Sequence, residues 1–79
     1  MTLKELNNFI AGDSLLGRCF FVYSDATFTK KIKEIWTPEY DGHGGIYEHG
    51  WNSNPDVNRE VSTFRAAGWQ DNIYYVVLK

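Results

Sequence analysis

The side chains best suited to chemistry crowd into one glycine-rich stretch: Asp41, His43, Glu48 and His49. Imidazole and carboxylate are the donors that zinc and iron sites use, and an imidazole beside a carboxylate can move a proton. The spacing specifies neither chemistry. His43 and His49 stand across a glycine turn, and their interval fits no HExxH pair, zinc finger or facial triad. If the stretch is a hairpin, His43 falls in the turn and His49 on an arm, so convergence would be accidental. A metal-dependent activity at His43 and His49 is therefore an alternative, and the expectation is no bound metal and no cofactor.

Nucleophilic catalysis has less behind it. Cys19 lies against Phe20, Phe21 and Val22, the setting of a buried small apolar residue and not of an activated thiolate. Ser24 and Ser53 stand among turn formers, where a hydroxyl has a local backbone to bond. His43-Gly44-Gly45 leads into no helix and no Lys-Ser/Thr pair, so no phosphate-binding loop is spelled. An enzyme is not expected.

The aromatic residues say more. Three Trp, five Tyr and five Phe make 16% of 79 residues, more than a small core requires. Tyr40, Tyr47 and Trp51 sit amid Glu39, Asp41 and Glu48. From Pro38 to Phe64 the acidic residues are opposed by Arg59 alone. Large rings with a charged rim are the composition of an interaction hot spot. The expected contact set is Tyr40, Asp41, Tyr47, Glu48 and Trp51, with the rings giving buried area and the carboxylates giving orientation towards a basic partner.

The only basic run is Lys30, Lys31 and Lys33. Beside Phe20, Phe21 or Tyr23 on a neighbouring strand, it would make an aromatic, basic sheet platform for single-stranded nucleic acid. Eight Lys plus Arg against ten Asp plus Glu leave a net charge of -2, with no excess for non-specific phosphate attraction. Nucleic acid is thus the alternative partner and a protein the expected one. Homodimerisation through an uncovered strand edge is a further alternative.

Elements follow from periodicity. Thr2 and Glu5 have capping-box spacing ahead of a short helix with Leu3, Leu6 and Ile10 as its stripe, widened by Phe9 and ended by Gly12. Asp13 to Leu16 reads as a tight turn or a single helical turn. Cys19–Tyr23 and Phe28–Trp36 read as strands closed by Ser24 to Thr27, although the second also fits a helical face. Tyr40 to Gly45 is a turn, and Ile46 to His49 a short strand. Asn54 as N-cap, Pro55 at the first position and Val57, Val61 and Phe64 on one stripe predict a second helix. Gly68 would stop it, and Trp69 would pack back on Phe64. Ile73 to Leu78, apolar on both alternating faces, reads as an inner or helix-covered strand.

The expected fold is one small α+β domain over residues 1-79: an antiparallel sheet of three to four strands with two helices packed on one face. There is no apolar 18-mer and no signal-like start, and one cysteine permits no internal disulfide, so a cytoplasmic protein is the default, away from membranes. A small interaction module or inhibitor that occludes a surface of a larger partner fits these features. Such chains are common among phage and bacterial accessory factors.

Overall fold

A computed structural model of the chain describes residues 1–11 and 17–79. The reading of Asp13 to Leu16 and the helix stop at Gly12 fall outside the described residues. Those residues form α1 (Leu3–Ala11), β1 (Cys19–Tyr23), β2 (Lys31–Trp36), β3 (Glu39–Tyr40), β4 (Ile46–Tyr47), β5 (Val61–Ala66) and β6 (Ile73–Leu78). Two 3-10 turns, Trp51–Ser53 and Pro55–Asn58, lie between β4 and β5.

The main sheet runs β2-β1-β6-β5, and β3 and β4 form a separate two-stranded sheet. Pairing is antiparallel at both outer seams and parallel at the central one, where Phe20 lies opposite Tyr74 and Phe21 opposite Tyr75. The fold is therefore α+β as expected, but the sheet is mixed. A terminal strand apolar on both faces needs a hydrogen-bonding neighbour on each side, and β6 has β1 and β5.

That need overturns the second helix. Asn54 does cap, its Oδ1 accepting the Asp56 N–H at 2.9 Å, and Pro55 sits at the first turn position. The coil ends at Asn58, and Arg59 is already extended. Val61 and Phe64 belong to β5, where Phe64 pairs with Val76. The Val57-Val61-Phe64 stripe was a helical spacing shared by a turn and a strand. β-branched Val61 and Thr63 fit the pleated surface. Gly68, with φ +88, serves the β5–β6 connection and does not end a helix.

Among the described residues there is one α-helix. Its capping box is present: the Thr2 N–H donates to Glu5 Oε1 at 2.9 Å, and the Glu5 N–H to Thr2 Oγ1 at 3.2 Å. Leu3 and Leu6 are buried against Phe20, Val22 and Val76 on one sheet face, with Ile10 partly covered. Each such side chain contributes about 1.5–3 kcal/mol by leaving water. Phe9, expected to widen the stripe, is exposed. Val57 and Trp51 complete the same layer from the 3-10 turns.

Candidate functional site

Thr37 joins the main sheet to the β3–β4 hairpin. It is the buried polar residue of the described core, and its bonds explain why. The Arg18 N–H donates to Thr37 Oγ1 at 2.7 Å, and the Thr37 N–H donates to the Arg18 carbonyl at 2.9 Å. Gly17 lets β3 approach: a Cβ there would lie 2.8 Å from the Glu39 Cβ. The hairpin turn is built by Asp41, whose Oδ1 accepts N–H groups from His43 at 2.7 Å and Gly45 at 3.1 Å. Gly42 and Gly44 supply the left-handed backbone it needs, at φ +83 and +85.

The pairing sets what this hairpin shows. Tyr40 lies opposite Ile46 and shares a side with it; Glu39 lies opposite Tyr47 on the other. Tyr40, Ile46 and Tyr47 are 57, 54 and 59% exposed, and Trp36 just before them is also exposed. His49 closes the base. Its Nε2 lies 2.8 Å from Glu39 Oε1, and its ring meets Tyr47 edge-on at 4.4 Å and Trp36 at 6.0 Å. His49 has φ +52, a conformation uncommon for a side-chain-bearing residue. No Lys or Arg occurs between Lys33 and Arg59, so the hairpin is acidic.

Of the expected contact set, Tyr40, Asp41, Tyr47 and Glu48 are on or beside this hairpin. Trp51 is not an exposed anchor. It is 4% exposed and stacks on Phe20 at 6.2 Å, because Gly50 (φ +71) turns the chain back over the sheet. His43 and His49 do not converge: one is in the turn and the other is engaged with Glu39. Among the described residues no three potential metal ligands come together.

The lysine run also divides. Val22 lies opposite Lys33 but Tyr23 opposite Lys31, and this irregularity places the two lysines on opposite faces. Lys33 crosses the core face to Asp56, which with Arg59 holds that carboxyl below its ordinary range. Lys30 sits in the β1–β2 turn, its N–H on Asp25. Lys31 alone reaches the aromatic rings, its Nζ 4.3 Å from the Phe21 centroid.

Those rings lie on the sheet face that α1 leaves uncovered. Phe21 stacks on Tyr75 across the central seam at 5.9 Å and 23°. Tyr23 meets Tyr75 at 5.1 Å, and Phe28 folds back from the turn onto both. Trp69 stands at the rim, 61% exposed, 6.3 Å from Phe21, with its Nε1–H donating to the Tyr75 hydroxyl at 2.7 Å. Its expected place against Phe64 as a helix cap disappears with the helix. On β5 the Arg65 guanidinium lies 5.2 Å from the Phe28 centroid and 5.5 Å from Tyr75.

Phe28 has φ +56, held by the turn around Asp25. The Asp25 carboxylate accepts from the Thr27 and Thr29 hydroxyls and from the Thr29 and Lys30 N–H groups, which keep it well below the usual carboxylate range. Cys19 is buried on this same face, 3.8 Å from Glu34 Oε1, and burial followed by that carboxylate pushes its thiol up to about 12. A buried thiol held in its protonated form is a poor nucleophile.

Of the rings expected beside the lysines, Phe21 and Tyr23 lie on this face, but Phe20, one residue out of phase with them, is fully buried in the core on the other; Arg65, Tyr75, Phe28 and Trp69 were missed. The signal was the alternation of β1 and β6, which places Phe21, Tyr23 and Tyr75 together once the two strands are paired. Arg65 was hidden by assigning it to a helix. No family model, curated protein or solved structure matches this chain.

Proposed function

We propose that this chain is a protein-interaction module that covers a basic surface on a larger protein, with the β3–β4 hairpin as its contact element. The observation that carries this reading is the exposure of Tyr40, Ile46 and Tyr47 on a hairpin flanked by Glu39, Asp41 and Glu48 and lacking any cation. Exposed rings on a hairpin fixed by Thr37 lose little conformational freedom on docking, which is why such side chains dominate interface energetics. The carboxylates add charge complementarity, which governs encounter rate and orientation more than affinity. If the covered surface is a working one, binding inhibits it. No catalytic group enters this account.

A photo-crosslinking amino acid at position 47, used in the source cells, identifies the partner. The purified partner is then titrated calorimetrically with wild type and with the Tyr40→Ala, Tyr47→Ala double variant. Removing two exposed rings should weaken binding at least tenfold with little change in melting. Added salt should slow association. Equal affinity of wild type and double variant refutes the hairpin as the contact element.

A further inference from the structure

We propose a second, separate binding site: the uncovered sheet face takes a short run of single-stranded nucleic acid, with bases on Trp69 and the Phe21–Tyr75 pair and phosphates on Lys31 and Arg65. The proposal does not depend on the hairpin reading.

Three observations point this way. The rings occupy the two central strands at their parallel seam, so Phe21 and Tyr75 make a single stacked unit at 5.9 Å in the middle of the face. Trp69 extends it with a ring that is 61% exposed. Aromatic rings at the centre of a four-stranded sheet offer faces on which successive bases stack, since every base has a π-face.

The cations stand at the two margins. Lys31 is on β2 and Arg65 on β5, the outer strands of the sheet. Three strand spacings separate them, roughly 14 Å. That brackets the two or three bases such a sheet holds. A strand crossing the face would meet a positive group on each side of its stacked bases. Of the ten acidic residues, Glu39, Asp41, Glu48 and Asp56 lie on the hairpin segment and the 3-10 turns; near this face Glu34 pairs with Lys31, and Asp25 is occupied by the donors of the Phe28 turn.

The cations lie over the rings: Lys31 over Phe21, and Arg65 over Phe28 and Tyr75. An exposed cation–π contact and an exposed ion pair such as Lys31–Glu34 are each weak, so phosphate oxygens can draw both side chains outward at small cost. Phe28, kept at φ +56 by the Asp25 turn, walls the far end of the platform. Backbone held in this region is costly and tends to persist where it has work to do. An acidic protein segment would satisfy the same cations but would leave the exposed Trp69 ring and the Phe21–Tyr75 pair without a stacking partner, so nucleic acid fits the combination better.

Fluorescence anisotropy of short fluorescein-labelled oligothymidylate and oligouridylate tests this with the full chain, the two arms separating DNA from RNA. Saturable binding is expected at low salt. Log affinity should fall against log salt with a slope of about -1.4, for two phosphates on a single strand. Trp69→Ala should weaken binding by about tenfold, and Trp69→Phe, which keeps a ring, should retain most of it. Arg65→Gln should halve the salt slope. Circular dichroism melts confirm that the variants are folded. No binding of either oligonucleotide at low salt overturns the proposal. So does binding indifferent to Trp69→Ala, or a salt slope unmoved by Arg65→Gln. A dimer in sedimentation that Trp69→Ala dissociates, without oligonucleotide binding, would give the face to a second copy and also overturn it.

Discussion

Replacing Trp51 by Ala should damage this protein far more than replacing Tyr47, although both are large aromatic residues at the edge of the same glycine-rich segment. Trp51 is 4% exposed and stacked on Phe20 at 6.2 Å, in contact with a layer that includes Val57 and Leu6. Removing a buried Trp ring costs about 3–5 kcal/mol, from lost transfer energy and from the cavity left behind. A domain of this length has a total stability of roughly 4–12 kcal/mol. Trp51→Ala thus removes a quarter or more of it and leaves the variant marginal or unfolded at the lower bound. Tyr47, 59% exposed with its edge on His49, should cost less than about 1 kcal/mol. Urea titrations followed by far-UV circular dichroism give both values without relying on tryptophan emission. The midpoint should fall sharply for Trp51→Ala and barely for Tyr47→Ala, with the slope unchanged in each. Trp51→Phe should recover much of the loss. Near-equal losses in the two Ala variants would refute both the placement of Trp51 in the core and the freedom of Tyr47 to meet a partner.

Two further predictions concern the β1 region. Asp25→Ala should destabilise the protein at neutral pH by removing the acceptor of four hydrogen bonds around the Phe28 turn. Because the folded carboxyl sits below its unfolded value, the contribution is complete above about pH 4. It is lost as pH falls from there through the folded value, so melts of wild type and variant should converge in acid; a gap that persists or widens below pH 4 contradicts the assigned network. Cys19, buried with its thiol pushed up to about 12, should resist a thiol-reactive disulfide reagent at pH 8 in the native protein and react at once in denaturant. Rapid labelling of the native state would contradict the burial of Cys19.

The parts of the fold that local chemistry dictates could be read from the residues. Thr2 and Glu5 cap a helix because the donor and acceptor lie within one turn of each other. The hairpin after Cys19–Tyr23 was legible, although its turn runs from Ser24 through Phe28 to Lys30 and the strand expected from Phe28 begins at Lys31; Ile73 to Leu78 is an inner strand because apolar side chains point both ways. What could not be read is what depends on distant partners. Val57, Val61 and Phe64 keep helical spacing whether or not a helix forms, and only the free side of β6 makes the latter part a strand. Trp51 gave no local sign of its burial; the polar residues around it pointed to solvent, and Gly50 reverses the chain. Tyr40 and Tyr47 stand exposed on the hairpin, where nothing long-range competes for them. The aromatic face was half visible, since its rings come from both ends of the chain and meet only at a parallel seam.

That seam has a consequence for how the chain reaches its structure. β1 with β2, and β5 with β6, are two local hairpins, each able to form from neighbouring residues in microseconds. The join between them, Cys19 against Ile73 and onward, spans most of the sequence, and its loop must close before any seam contact rewards it. Folding should therefore wait on the meeting of two preformed halves. At high concentration the waiting half of one molecule meets the complementary half of another, with the same Phe20–Tyr74 and Phe21–Tyr75 contacts on offer. Exchange of the β5–β6 half between two molecules is the assembly error this topology invites, and refolding by dilution from a concentrated stock is where it would surface.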